Sequence, residues 1–136
     1  MVSTRALNVA LQRNMILAVV QDVTCTISKG TLTCTMRLQP TPASRIYTVR
    51  LFYQPPKHPK ITVLDPALEL YPGAKRLPHV FAPDALCLYQ AGDWDHDRSL
   101  ASTIVPWTAE WLMFYEGWLA AGVWDGGGNP HQVSDR

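Results

Sequence analysis

From Thr24 onward apolar and polar residues alternate. Cys25 and Ile27 fall on one face, Lys29-Gly30 interrupts the run, and Leu32, Cys34, Met36 and Leu38 carry the alternation back. A period of two on both sides of a turn signal predicts a β-hairpin, and a two-residue turn at Lys29-Gly30 sets Cys25 opposite Cys34. Tyr47, Val49, Leu51 and Tyr53 alternate again, and Ile61 to Leu64 is a fourth short β-rich run. Together these predict a four-stranded antiparallel meander. Ahead of it, residues 1–20 mix Leu7, Val9, Leu11, Ile16 and Leu17 with Arg5, Gln12 and Arg13. This pattern predicts an N-terminal helix region, with Ser3 or Thr4 as its cap.

Beyond position 98 the period lengthens. Ile104, Trp107, Trp111, Phe114, Tyr115, Trp118 and Leu119 recur every three or four residues, Pro106 suits a first turn, and Gly122 suits an end. An amphipathic C-terminal helix is expected, its aromatic stripe serving either as core cover for the sheet or as a partner surface. Nine of the eleven prolines lie between positions 40 and 83. Proline neither donates to a sheet ladder nor continues a helix, so this centre reads as rigid loops. The run Gln54-Pro55-Pro56-Lys57-His58-Pro59 has a second reading as a proline-recognition motif. The fold class is therefore α+β.

A length of 136 residues suits one domain over 1–136, with 125–136 read as a flexible tail on its Gly126-Gly127-Gly128 run. Twelve Lys and Arg against eleven Asp and Glu leave a formal charge of +1, without the basic excess that nucleic-acid binding requires. Charged residues are only 17% of the chain, against about 25% in typical domains, and all five Trp lie beyond position 90. An apolar docking patch is expected. The cysteines Cys25, Cys34 and Cys87 are an odd count, and Met15 to Val20 is a short apolar run with no small-residue cleavage pattern, so a cytoplasmic, reducing location is expected. Ile104 to Val123 is interrupted by Pro106, Glu110 and Glu116, which makes a poor membrane span. Cys25 and Cys34 read as two reduced structural thiols, with a redox disulfide or half a zinc site as the alternatives.

Chemistry concentrates in Leu77 to Tyr89, between sheet and helix, where loops on a rigid scaffold carry reactive groups. His79 precedes Cys87 by eight residues. A cysteine nucleophile needs a polar neighbour to orient it or to stabilise the oxyanion of acyl transfer. The same residues also describe a buried free thiol beside a turn histidine. Asp93-Trp94-Asp95-His96-Asp97 alternates acids as a calcium loop does, but Arg98 stands where that loop needs Gly and Ile104 where it needs Glu. It reads as acids near a helix start, with Asp93 or Asp95 able to orient an amine. The glycine run lacks a following Lys-Ser or Lys-Thr, so it is no phosphate cradle. No metal or cofactor is expected.

Three blocks carry a family resemblance. They are Leu38-Gln39-Pro40-Thr41-Pro42 with the Ser44 to Tyr53 strand; Pro78-His79-Val80 with Leu86-Cys87-Leu88-Tyr89; and Ile104-Val105-Pro106-Trp107-Thr108-Ala109-Glu110-Trp111-Leu112 through to Gly128. Over roughly positions 24 to 131 the chain resembles the stand-alone ubiquitin-conjugating-enzyme-like proteins of bacterial cyclic-oligonucleotide-based anti-phage signalling systems (CBASS). The resemblance implies a ubiquitin-conjugating-enzyme-like fold: an N-terminal helix, a four-stranded antiparallel meander, an active-site loop and a following helix. It implies that Cys87 accepts, as a thioester, the C-terminal acyl group of a cyclic GMP-AMP synthase-like nucleotidyltransferase, and that Trp94 matches a tryptophan following the cysteine. Eukaryotic relatives carry His-Pro-Asn before the cysteine, with Asn supporting the oxyanion. Here Pro78-His79-Val80 stands instead, with no asparagine between Asn14 and Asn129, and His79 carries over only as a histidine near the site. The chain is also expected to be without the further C-terminal helices of those proteins. A non-catalytic binding module on the same fold is the alternative function, and an unrelated Cys-His hydrolase a third.

Overall fold

The computed structural model describes residues 6–81 and 85–128. In chain order it contains helix α1 (Val9–Val19), strands β1 (Val23–Ser28), β2 (Thr31–Leu38), β3 (Tyr47–Tyr53), β4 (Lys60–Asp65), β5 (Val80–Phe81) and β6 (Ala85–Leu86), helix α2 (Ile104–Ala121), and a 3-10 turn at Asp125–Gly128. The six strands form one sheet in the order β1-β2-β3-β4-β6-β5, with every pairing antiparallel. The fold class is α+β as expected. The first four strands form the anticipated meander, but the sheet is larger by the short β5–β6 hairpin. Two-residue strands are too brief to leave a periodic signature in sequence.

Lys29 and Gly30 both adopt positive φ, 52° and 76°, the geometry of a two-residue turn matched to strand twist. The resulting register pairs Cys25 with Cys34. Both are free thiols. Burial first, and the neighbouring Cys25 thiol second, push the Cys34 thiol far above the ordinary cysteine range, so it stays protonated.

Helix α1 begins later than expected. Asn8 caps it, its Oδ1 accepting from Leu11 N–H at 2.8 Å. Ser3 and Thr4, the anticipated caps, lie outside the described residues. Gln12 is wholly buried on α1 and satisfied at both ends: its Nε2 donates to the Arg98 carbonyl at 3.0 Å, and its Oε1 accepts from Leu100 N–H at 2.8 Å. Leu7 N–H also donates to the His96 carbonyl at 2.9 Å. The N-terminal segment thereby fixes the loop ahead of α2.

The core joins Leu32, Cys34 and Met36 of β2 and Tyr47, Val49, Leu51 and Tyr53 of β3 to Ile16 of α1 and to Ile104, Trp111, Leu112, Tyr115 and Trp118 of α2. The aromatic stripe is thus mainly core. Trp107 and Phe114 are half-buried at its margins. Glu116 ties α2 to the sheet, accepting from Ser44 Oγ and Tyr47 Oη at 2.7 Å each. Gly122 ends α2 at φ 79°, where a Cβ would lie 2.7 Å from the Tyr71 ring, so both backbone and space require glycine. The segment read as a flexible tail starts with the ordered turn Asp125–Gly128. Residues 129–136 lie outside the described residues. Among the described residues no helix is long and apolar enough to cross a membrane.

Candidate active site

The β5–β6 hairpin places Cys87. Val80 pairs with Leu86 and Phe81 with Ala85, while Ala85 also pairs with Thr62 of β4, so the hairpin is anchored to the meander. Beyond β6 the chain stays in register for another residue, because Cys87 N–H donates to the His79 carbonyl at 2.9 Å. Burial alternates from 85 to 89, with Leu86 and Leu88 inward and Ala85, Cys87 and Tyr89 half-buried. The Cys87 charge also acts on the Tyr89 phenol, which ties these two half-buried residues together. Cys87 is half-buried, neither sealed in the core nor fully open.

His79 is joined to Cys87 through the main chain. Its φ is +54°, within the left-handed region that histidine enters more readily than most residues. That turn directs its carbonyl at two donors, Cys87 N–H and the Trp111 indole Nε1 at 3.0 Å. The imidazole is 7% exposed and lies against Trp124, with ring centroids 4.8 Å apart. Trp124 also meets Trp111 at 5.3 Å and Phe114 at 6.0 Å. The segment after α2 therefore closes over the histidine.

A second group of aromatic and imidazole rings gathers around Tyr89, two residues beyond the thiol. Tyr89 Oη and His58 Nδ1 are hydrogen-bonded at 3.0 Å, and the Tyr89 ring packs on Trp107 at 5.7 Å. Arg98 stands over the other partner of that pair, its guanidinium 5.7 Å from the Trp107 ring. His58 meets the edges of Trp94 and His96, both at 5.3 Å. Trp94 is buried, with its Nε1 donating to Thr103 Oγ1 at 3.0 Å. Tyr53 stacks on His96 and hydrogen-bonds to its Nδ1. Burial first and the Cys87 charge second push the Tyr89 phenol up to about 12, so it is a neutral hydroxyl at physiological pH. A cavity of about 350 Å³ opens beside this pair, lined among others by His58, Lys60, Phe81, Leu86, Leu88 and Tyr89.

The acids of 93–97 are used locally. Asp93 Oδ2 accepts from Gln90 N–H at 3.2 Å, and Asp95 Oδ1 accepts from His96 N–H at 2.7 Å. Among the described residues no three His, Cys, Asp or Glu gather as metal ligands would. Sequence reasoning singled out Cys87, His79 and Trp94 and assigned no role to Tyr89, His58 or Trp124. The alternation of 86–89 was a usable signal for Tyr89. For His58 there was none, since it reaches the site from a proline-rich loop thirty-one positions away along the chain.

The scaffold is thus an α+β protein with one half-buried cysteine at the end of an outer hairpin, framed by histidine and aromatic rings. The family model of the type II CBASS E2 protein matches residues 12–132, and the chain belongs to that family. Membership places it in CBASS defence among proteins of conjugating-enzyme type, working with other components of such a system. No curated protein matches it.

Proposed function

We propose that the protein is a ubiquitin-conjugating-like transferase with a ubiquitin-conjugating-enzyme-like fold, acting in the cytoplasm, whose Cys87 carries an acyl group as a thioester. The observation that carries this reading is the placement of Cys87. It lies inside the region matched to the E2 family, half-buried at a strand end, with its main chain held by the His79 carbonyl. The acyl donor is the C-terminus of a cyclic GMP-AMP synthase-like nucleotidyltransferase, and transfer to an amine controls CBASS signalling. The Cys87 thiolate attacks the activated terminal carbonyl, the C–S bond forms, and the activating group departs with its electron pair.

His79 is the second residue of the site. Because the Cys87 N–H is already engaged, that amide is not free to support the oxyanion, and the sequence offers no asparagine before the cysteine. His79 supports transfer by fixing the thiol's backbone and by donating near the reacting carbonyl.

Co-expression with the neighbouring nucleotidyltransferase tests this by intact mass. The wild type should show an adduct released by thiols, Cys87→Ala none, and Cys87→Ser an ester that survives reducing agent. His79→Ala should slow transfer about 10²-fold, the usual cost of losing one oxyanion donor. Full conjugation by Cys87→Ala in cells carrying the whole operon would sink the enzymatic reading and leave a binding module.

A further inference from the structure

From the hydrogen-bonded pair of Tyr89, two residues beyond Cys87, and His58, we infer that this pair is the proton acceptor for the amine that discharges the Cys87 thioester. The inference rests on the thioester reading above and names the chemistry of its second half.

Three observations carry it. Cys87 and Tyr89 are both half-buried between and beyond the buried Leu86 and Leu88, and the Cys87 charge acts on the Tyr89 phenol. Its phenol is hydrogen-bonded to His58 Nδ1 at 3.0 Å and its ring is held against Trp107, so the hydroxyl has a fixed position. A cavity of about 350 Å³ bordered by His58, Tyr89, Leu86 and Leu88 gives an incoming side chain a place to lie next to the pair. His58 itself is exposed and can exchange protons with water. The held-up phenol is consistent with this role, since a neutral hydroxyl both accepts and donates. Titratable groups around the pair are Cys87 on Tyr89's own segment, His96 and Tyr53 beside His58, Asp95 acting on Tyr53, and Lys60 at the cavity wall.

The step balances. The amine nitrogen attacks the thioester carbonyl carbon, the C–N bond forms, and the C–S bond breaks with its electron pair leaving on Cys87 Sγ. The proton lost by nitrogen passes to Tyr89 Oη while the Tyr89 proton passes to His58 Nδ1, whose own proton is on Nε2. The phenol ends neutral, the imidazole ends as imidazolium, and His58 returns its proton to water. Tyr89 is the catalytic residue, and His58 positions it and takes the charge.

The test compares two nucleophiles on one thioester. Full-length protein is loaded at Cys87 with a short synthetic peptide α-thioester bearing a mercaptoethanesulfonate leaving group, with Cys87→Ala as the blank. Discharge is followed by intact mass with free lysine and separately with β-mercaptoethanol, whose thiolate has no proton to lose. Tyr89→Phe should slow discharge to lysine about 10²-fold, in the range of general-base contributions, and leave discharge to the thiol within about twofold. His58→Gln, at an exposed position, should show the same selective loss. Equal lysine discharge in Tyr89→Phe and wild type overturns the relay while the thioester stands. Parallel loss with both nucleophiles also overturns it, because it makes Tyr89 an oxyanion donor or a packing residue. Wild type that loads no more than Cys87→Ala overturns both the thioester reading and the relay.

Discussion

Replacing Trp111 asks whether the core of α2 and the Cys87 loop are one structural unit. The side chain is 0% exposed, stacks on Tyr115 at 5.8 Å and meets Trp124 at 5.3 Å. Its Nε1 donates to the His79 carbonyl that also holds Cys87 N–H. Trp111→Ala removes a large buried ring and should cost about 3–5 kcal/mol. That is a large share of a total stability of about 5–15 kcal/mol, so Trp111→Phe is the more informative variant. Phenylalanine keeps an aromatic ring but loses the donor. The His79 carbonyl retains the Cys87 amide, so it is not left bare, and the lost bond should cost about 0.5–1.5 kcal/mol. The missing volume adds about 0.8 kcal/mol for each methylene-sized group removed, giving roughly 2–3 kcal/mol in all. Urea unfolding followed by far-ultraviolet circular dichroism measures both variants as a shift in midpoint at unchanged slope. An unchanged midpoint in Trp111→Ala, together with loss of partner binding, would refute the reasoning and make the aromatic stripe a docking surface.

Two further outcomes are expected. Thiol counting on freshly prepared protein, denatured without reductant, should find three free thiols, and a count of one would mean that Cys25 and Cys34 are joined. Tyr53 and Tyr89 are both held up to about 12, each by burial first, with the Asp95 charge next for Tyr53 and the Cys87 charge next for Tyr89. Between the unfolded value of about 10 and these folded values the native state keeps protons that the unfolded chain has lost. Stability from these groups is therefore intact below about pH 10 and falls as pH rises toward 12. Tyrosinate absorbance of the folded protein should lag that of the denatured protein over this range, and coincident curves would remove the burial argument.

The parts legible in the sequence were those with a long repeat. The Cys25–Cys34 register followed from one turn signal and the alternation on both sides of it, and α2 from an aromatic period of three and four. Short elements escaped. The β5–β6 hairpin contributes two residues per strand, and its existence depends on Ala85 finding Thr62 across a distant segment. The start of α1 was misplaced because Ser3, Thr4 and Asn8 are all competent caps, and the choice among them is made by Gln12 and Leu7, which must reach Leu100, Arg98 and His96.

The site itself was half legible, for a reason that concerns the difference between main chain and side chain. Residue types marked His79 and Cys87, and their spacing of eight suggested imidazole beside thiol. One contact that joins them is a closing hairpin bond, amide to carbonyl, which no residue type announces. It requires a left-handed turn at His79 and a second donor from Trp111, thirty-two positions later. Beside His79, Tyr89 is a further polar group on which the Cys87 charge acts, and it is backed by His58. On the proposed reading, the histidine eight residues away holds the thiol and supports the oxyanion, while the tyrosine two residues away takes the proton of the attacking amine. The comparison of lysine with thiol discharge separates these two roles, since loss of the first would slow every nucleophile and loss of the second only those that carry a proton.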